Sequence, residues 1–306
     1  MDDRTPDNLP FVIDAFGSFP PDRVHVHFDP SPRPTTVLLE DVIAKEWQRQ
    51  MARAKRENHM LFNGSLMRYV NHAITPNIAA TLDHATDHQT TTASPNSPRR
   101  KPADLAFHLT IGPTCYRDFV GTNLFNHHRL KEFGWHRFAN PIGTTATLIT
   151  RDSHICYGRR SAQVAYHALH VHTFGGGLEE SDRAADGTID PFASLCRELD
   201  EELSLSRDEL EDLVCVGLLR DKEICQPEML FEAGVDLTVE ELRAKWATAT
   251  SRDEHQEIIA FPDEPDAIVP FIQGCDAIAP VAVGALFLHG RRRWGQAWFE
   301  AAAGML

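Results

Sequence analysis

Glu198, Glu201 and Glu202 stand at i, i+3 and i+4, a spacing that gathers their side chains on one edge of a helix. Carboxylates held that close repel one another and destabilise an exposed helix, and a cation between them resolves the repulsion. A metal-binding edge is thus the functional reading of the cluster. An acidic solvated face is the structural one, and Arg197 fits it too, since it can pair with Glu201 at i+4.

The segment around these glutamates has the signals of a helix. Asp190 suits the N-cap and Pro191 the first helical position, where a missing N–H costs nothing. Phe192, Leu195, Leu199 and Leu203 recur at helical spacing as one apolar stripe. Upstream lie Gly175-Gly176-Gly177 and Glu179, then a connection. A glycine run, an acidic residue, a loop and a helix carrying Arg-Glu-apolar-x-Glu-Glu together resemble the Nudix box, G-x5-E-x7-R-E-apolar-x-E-E-x-G-apolar. The helical half matches at every catalytic position. Counting back from Arg197, Ile189 and Arg183 occupy the glutamate and glycine positions, so Ser181–Thr188 reads as an insertion. Ser204 takes the glycine position at the helix end, where a left-handed backbone costs serine more than glycine.

Composition narrows the classes. The chain has 306 residues, 42% hydrophobic and 24% charged, ordinary for a globular protein. A net charge of −14 argues against non-specific binding of nucleic acid or anionic membrane. An anionic substrate stays compatible, because a bound divalent ion supplies local positive charge. No apolar run reaches membrane-span length, the start is unlike a secretory signal, and the six cysteines show no Cys-x-x-Cys spacing. A cytoplasmic protein with unpaired, mostly buried thiols is expected.

Along the chain, residues 1–23 read as proline-rich and polar around Phe11-Val12-Ile13. Val24–Phe28 alternates like a strand, Leu38–Asn58 reads as a helix and Ser65–Tyr69 as the start of a further strand. His25, His27 and the His127-His128 pair read as surface residues among sixteen histidines. Residues 83–103 are too polar to order themselves and are expected to form a mobile loop. Leu105–Ile111 resumes the strand pattern, Ala146–Thr150 and His154–Tyr157 form a hairpin, and Leu213–Leu219 and Met229–Leu237 are strands. Leu242–Ala249 is a short helix, Ile258-Ile259 opens a strand after Glu254–Glu257, and Val281–Leu288 is expected as the final helix. Alternating strands and helices predict an α/β sandwich with the acidic helix packed on a mixed sheet.

Further motifs narrow the resemblance. Tyr116-Arg117-Asp118-Phe119-Val120-Gly121-Thr122-Asn123, Arg160-Ser161 with Val164, the two glycines before the box, and Phe192–Leu205 occur in the order found in UDP-glucose/UDP-galactose-hydrolysing Nudix proteins. The similarity spans most of residues 60–290, and Phe174 stands where that family has proline. It implies a Nudix-type α/β/α sandwich over residues 104–306, with residues 1–103 as an N-terminal α+β extension. It also implies magnesium, with manganese as the alternative ion, on Glu198, Glu201 and Glu202, and water cleaving a UDP-sugar to UMP and sugar 1-phosphate. Arg197 would pair with a glutamate and orient it, and Glu198 is the favoured base. Tyr116, Arg117, Asp118, Thr122, Asn123, Arg160, Gly176 and Gly177 would hold the small nucleotide-sugar. Another nucleoside diphosphate derivative such as ADP-ribose is the rival substrate, and a nucleotide-binding sensor without turnover is the reading from another class.

Overall fold

A computed structural model describes residues 5–76, 105–164, 166–185 and 187–306; the loop expected over 83–103 lies outside them. The chain runs β1 (Phe11–Phe19), β2 (Val24–Phe28), α1 (Val37–Glu57), β3 (Ser65–Pro76), β4 (Leu105–Cys115), α2 (Tyr116–Phe119) and α3 (Leu130–Phe133). The hairpin β5 (Gly143–Thr150) and β6 (His154–Arg160) follows, then β7 (Val171–His172), β8 (Phe174–Gly177) and α4 (Pro191–Leu203). The last part comprises β9 (Leu210–Asp221), β10 (Pro227–Val235), α5 (Val239–Trp246), β11 (His255–Pro262), α6 (Ile268–Gly274), α7 (Pro280–Trp294) and α8 (Gln296–Ala303).

Among the described residues, eight strands form one mixed sheet in the order β1-β9-β10-β5-β6-β11, with β8 beside β5 and β7 beside β6. The β10–β5 pair is parallel, whereas β9–β10 and β6–β11 are antiparallel. Strand alternation sends Met229, Phe231 and Ala233 of β10 to one face, where they meet Leu195, Leu199 and Leu203 of α4. Leu230 points the other way, into a core shared with Val281, Ala285 and Leu288 of α7. Helices therefore cover both faces, as the α/β/α sandwich requires.

Three features differ from the sequence reading. Phe11–Phe19 is a full strand pairing with β9 at the edge of the main sheet. A second sheet, β2-β4-β3, pairs β2 parallel and β3 antiparallel to β4, so a boundary at residue 103 passes through a sheet. Its residues Met67, Phe107, Leu109 and Ile111 share one core with α4. At the other end, α7 is followed by α8 after Gly295, whose φ of +91° breaks the helix. The six cysteines are free, but just Cys156 and Cys215 are fully buried.

Candidate functional site

Local signals build α4 as its sequence requires. The Asp190 carboxylate accepts the Phe192 N–H at 2.9 Å, Pro191 opens the helix, and Ser204 closes it in the left-handed region at φ 54°. The stripe Leu195, Leu199 and Leu203 is completely buried, each side chain contributing roughly 1.5–3 kcal/mol. Packing that stripe on the sheet turns the flanking edge, with Glu198 and Glu202, toward β8.

The glycines of β8 make this approach feasible. A side chain on Gly176 would begin 2.4 Å from the Glu198 carboxyl carbon, so the carboxylate lies directly against bare backbone. Gly175, at φ +140°, would drive a side chain to within 2.1 Å of the Thr144 carbonyl oxygen. Its N–H donates to Glu202 Oε2 at 2.9 Å. Glu202 is 2% exposed, and its other oxygen lies 3.4 Å from Nε2 of the buried His255.

Glu198 pairs with Arg197 at 2.9 Å, and burial raises its carboxyl to about 7; Arg197 opposes the shift, and the charges of Glu202 and Glu201 add to it. Glu201 is more open and meets Arg197 at 3.3 Å. Arg197 also donates to Asp182 at 3.1 Å. Asp182, inside the insertion, further accepts the Ser194 hydroxyl at 3.0 Å and the Glu179 N–H at 2.9 Å, folding the insertion back onto α4. The three carboxylates on this edge take different partners. Repulsion distributes them between the Gly175 N–H and the Arg197 guanidinium, and among the described residues no three His, Cys, Asp or Glu side chains form an ion-binding group.

Two residues beside this edge escaped the sequence reading. Glu254 is raised by burial and then by Glu202 and Glu201, which makes it a fourth carboxylate in the same field, although its surface is solvent-exposed. His255 stacks edge-on against Phe174 at 4.9 Å and covers Gly158. The string Glu254-His255 carried the signal, but reads locally as a strand start. Register sets His255 opposite Arg160. Arg160 Nε is buried without a hydrogen-bond partner, and so is the Tyr166 hydroxyl. The Arg160 charge opposes the burial-driven rise of Glu254 and of Glu228, the latter carboxyl standing at about 8.

Within the Tyr116–Asn123 turn, the side chains of Arg117, Asp118, Thr122 and Asn123, expected to contact ligand, are engaged by other protein groups. Asp118 pairs with Arg33 at 2.8 Å and with Arg117 at 3.1 Å, and Arg117 reaches Glu40 of α1 at 3.1 Å. Thr122 and Asn123 have no exposed surface. The Thr122 hydroxyl donates to the Asp118 carbonyl at 2.6 Å and accepts the Ala139 N–H at 3.1 Å. Asn123 donates to Asn140 at 3.0 Å and to the Ile224 carbonyl at 2.9 Å, and accepts the Asn140 N–H at 2.9 Å. The backbone that approaches Gly121 is that of Ile43, 2.7 Å from where a side chain would begin. Tyr116 differs from its neighbours in being half-buried beside a cavity.

No protein-family model matches the chain. It is 26% identical over 208 residues to the mouse uridine diphosphate glucose pyrophosphatase NUDT22, a match covering 60% of this chain and 67% of that protein. Among solved structures it is similar to the MutT protein of Methanosarcina mazei Go1, at TM-score 0.33 and 14% identity over 50% of this chain and 94% of that one. A NUDIX hydrolase from Nitrosomonas europaea gives TM-score 0.33 and 12% identity over 50% and 89%. The mouse protein's name matches the UDP-glucose-hydrolysing proteins that the sequence resembles.

Proposed function

We propose that this chain is a Nudix pyrophosphohydrolase that uses a divalent ion to cleave a UDP-sugar to UMP and sugar 1-phosphate. The observation that carries the reading is the edge of α4, where Glu198 lies against the bare backbone of Gly176 and the buried Glu202 accepts the Gly175 N–H. The donor set fits a hard divalent cation: all are carboxylate oxygens, and the bare backbone of Gly176 lets the Glu198 carboxylate lie against β8. Glu198 and Glu202 would hold the ion, with Glu201 at the open side. When bound, magnesium or manganese neutralises the diphosphate and orients the attacking water.

The chain's own residues do the rest. Glu198, at the edge of α4 beside Arg197, is the carboxylate placed to accept the proton of the attacking water. Arg197 holds the Glu198 carboxylate in place through its ion pair. The Gly175 N–H fixes Glu202. Arg160, with its unpaired buried N–H, would grip a phosphate oxygen.

The UDP-sugar assignment draws on the order of motifs and on the similarity to the mouse protein, which is named for UDP-glucose. The decisive assay is product identification from UDP-glucose and from ADP-ribose, each with and without magnesium. UMP and glucose 1-phosphate formed with magnesium alone are expected. Faster release of AMP from ADP-ribose would move the enzyme to the other substrate. Binding without any product would make the chain a sensor.

A further inference from the structure

A cavity of about 860 Å³ lies between the end of α1, the connection after it, and α2. Arg53, Glu57, Phe62, Tyr116, Phe125 and Gln163 are in its walls. The volume falls within the roughly 300–1,000 Å³ of small-molecule sites.

Three observations mark it as a built site. Apolar side chains crowd its rim without a core to cover: Phe62 is 73% exposed, Met60 89% and Phe125 41%. Singly, such residues need no explanation, but a group around one concavity does. The Phe62 turn is also tied down, because Tyr116 N–H donates to the Gly64 carbonyl at 2.9 Å and Arg117 N–H to the Asn63 side chain at 2.7 Å. The ion-paired Arg117–Asp118 turn thereby props two aromatic walls. Finally, the cavity adjoins the acidic edge. Glu179 in its wall follows closely on Gly177, and Gln163 on Arg160. Leu66, also in the wall, lies 3.7 Å from where a Gly177 side chain would begin.

The lining selects the occupant. Arg53 is already neutralised by Glu57 at 2.9 Å, so the rim offers little to a phosphate. Aromatic faces beside the side-chain amide of Gln163 suit a flat, neutral heterocycle with donors and acceptors along its edge. We propose that this cavity receives the nucleoside half of the substrate, the base against Phe62, Tyr116 and Phe125 and its polar edge toward Gln163, with the diphosphate leading to Arg160 and α4. This inference rests on the pyrophosphohydrolase reading.

The test is calorimetric titration of UMP, with magnesium, into the full chain and its Phe62→Ala and Gln163→Ala variants, alongside steady-state kinetics on UDP-glucose. Loss of base stacking should weaken UMP binding and raise KM by about tenfold in Phe62→Ala, with kcat within about twofold. Melting temperatures should hold, because Phe62 is 73% exposed. Absence of UMP binding to the unaltered chain, or unchanged binding and KM in both variants, would overturn the assignment. Continued hydrolysis in those variants at unchanged KM would leave the hydrolase reading standing and remove the cavity alone. UMP binding that the variants lose, in a chain that releases no UMP from UDP-glucose, would keep the cavity and remove the hydrolase.

Discussion

Replacing Glu202 by Gln separates a catalytic carboxylate from a structural one. Glu202 accepts the Gly175 N–H at 2.9 Å and is 2% exposed, so an isosteric amide keeps the volume and one acceptor oxygen. Exchanging a charge-assisted hydrogen bond for a neutral one costs about 1 kcal/mol. Removing the like charge four residues from Glu198 returns roughly 0.2–0.5 kcal/mol. The net loss is then below about 1 kcal/mol, a fall in melting temperature of only about 2–4 °C. Loss of a metal-holding, charge-bearing ligand should instead reduce kcat by at least about a hundredfold, or roughly 2.7 kcal/mol of barrier. Calorimetric melting and magnesium-dependent UMP release on the same preparation measure both. Near-normal turnover would refute the assignment of Glu202, and a collapse of the melting transition would make it a structural residue.

Three further outcomes are expected. Asn123→Ala should lower stability by about 2–4 kcal/mol by stranding the Asn140 N–H and the Ile224 carbonyl, while KM of the folded protein stays unchanged; denaturant titration with parallel kinetics checks it. Arg160→Ala should raise KM for UDP-glucose about tenfold or more at a nearly constant melting temperature, with Arg160→Lys partly restoring it. His289 links stability to pH: burial alone would lower its pKa, but bonds to Asp263 and Glu232 raise it from 6.5 to about 9. The folded state then binds the proton more tightly, so this contribution is fully present below pH 6.5 and lost as pH rises through about 9. Denaturant midpoints measured from pH 6 to 10 should fall across that window in the unaltered chain, and His289→Ala should flatten the fall.

What the sequence made legible was local. Asp190, Pro191, the leucine stripe and Ser204 lie within one short segment, and each signal concerns backbone groups a few residues away, so α4 could be read before its partners were known. Strand β1 was hidden for a physical reason. Bulges between Ile13 and Ala15 and between Phe16 and Phe19 interrupt the period-two pattern, leaving Phe11, Ala15 and Phe19 buried at every fourth position. The Tyr116–Asn123 turn misled for another reason. Side-chain type states a capacity to hydrogen-bond, never with whom, and the groups that satisfy Asp118 and Asn123 sit 85 and 101 residues away at Arg33 and Ile224.

The same limit explains why Glu254 and His255 were missed, and it says how the site is assembled. A register shift lies between His255 and Glu257 where β11 pairs with β6. A bulge there re-aims a side chain, and the outcome is His255 opposite Arg160, with Glu254 next to the α4 carboxylates. The charges on the helix edge are thus local in sequence, whereas Glu254 and the Arg160 charge that acts on it depend on strand pairing. With a net charge of −14 on the chain and this local excess of carboxylates, a diphosphate approaching α4, as the proposed reaction requires, would meet repulsion. Arg197 is in any case committed to Glu198, Glu201 and Asp182. A divalent ion held by these carboxylates would supply the positive charge that offsets that field. On the pyrophosphohydrolase proposed above, the strand register that sets Arg160 opposite His255 would matter to the site as much as the helix that carries the glutamates.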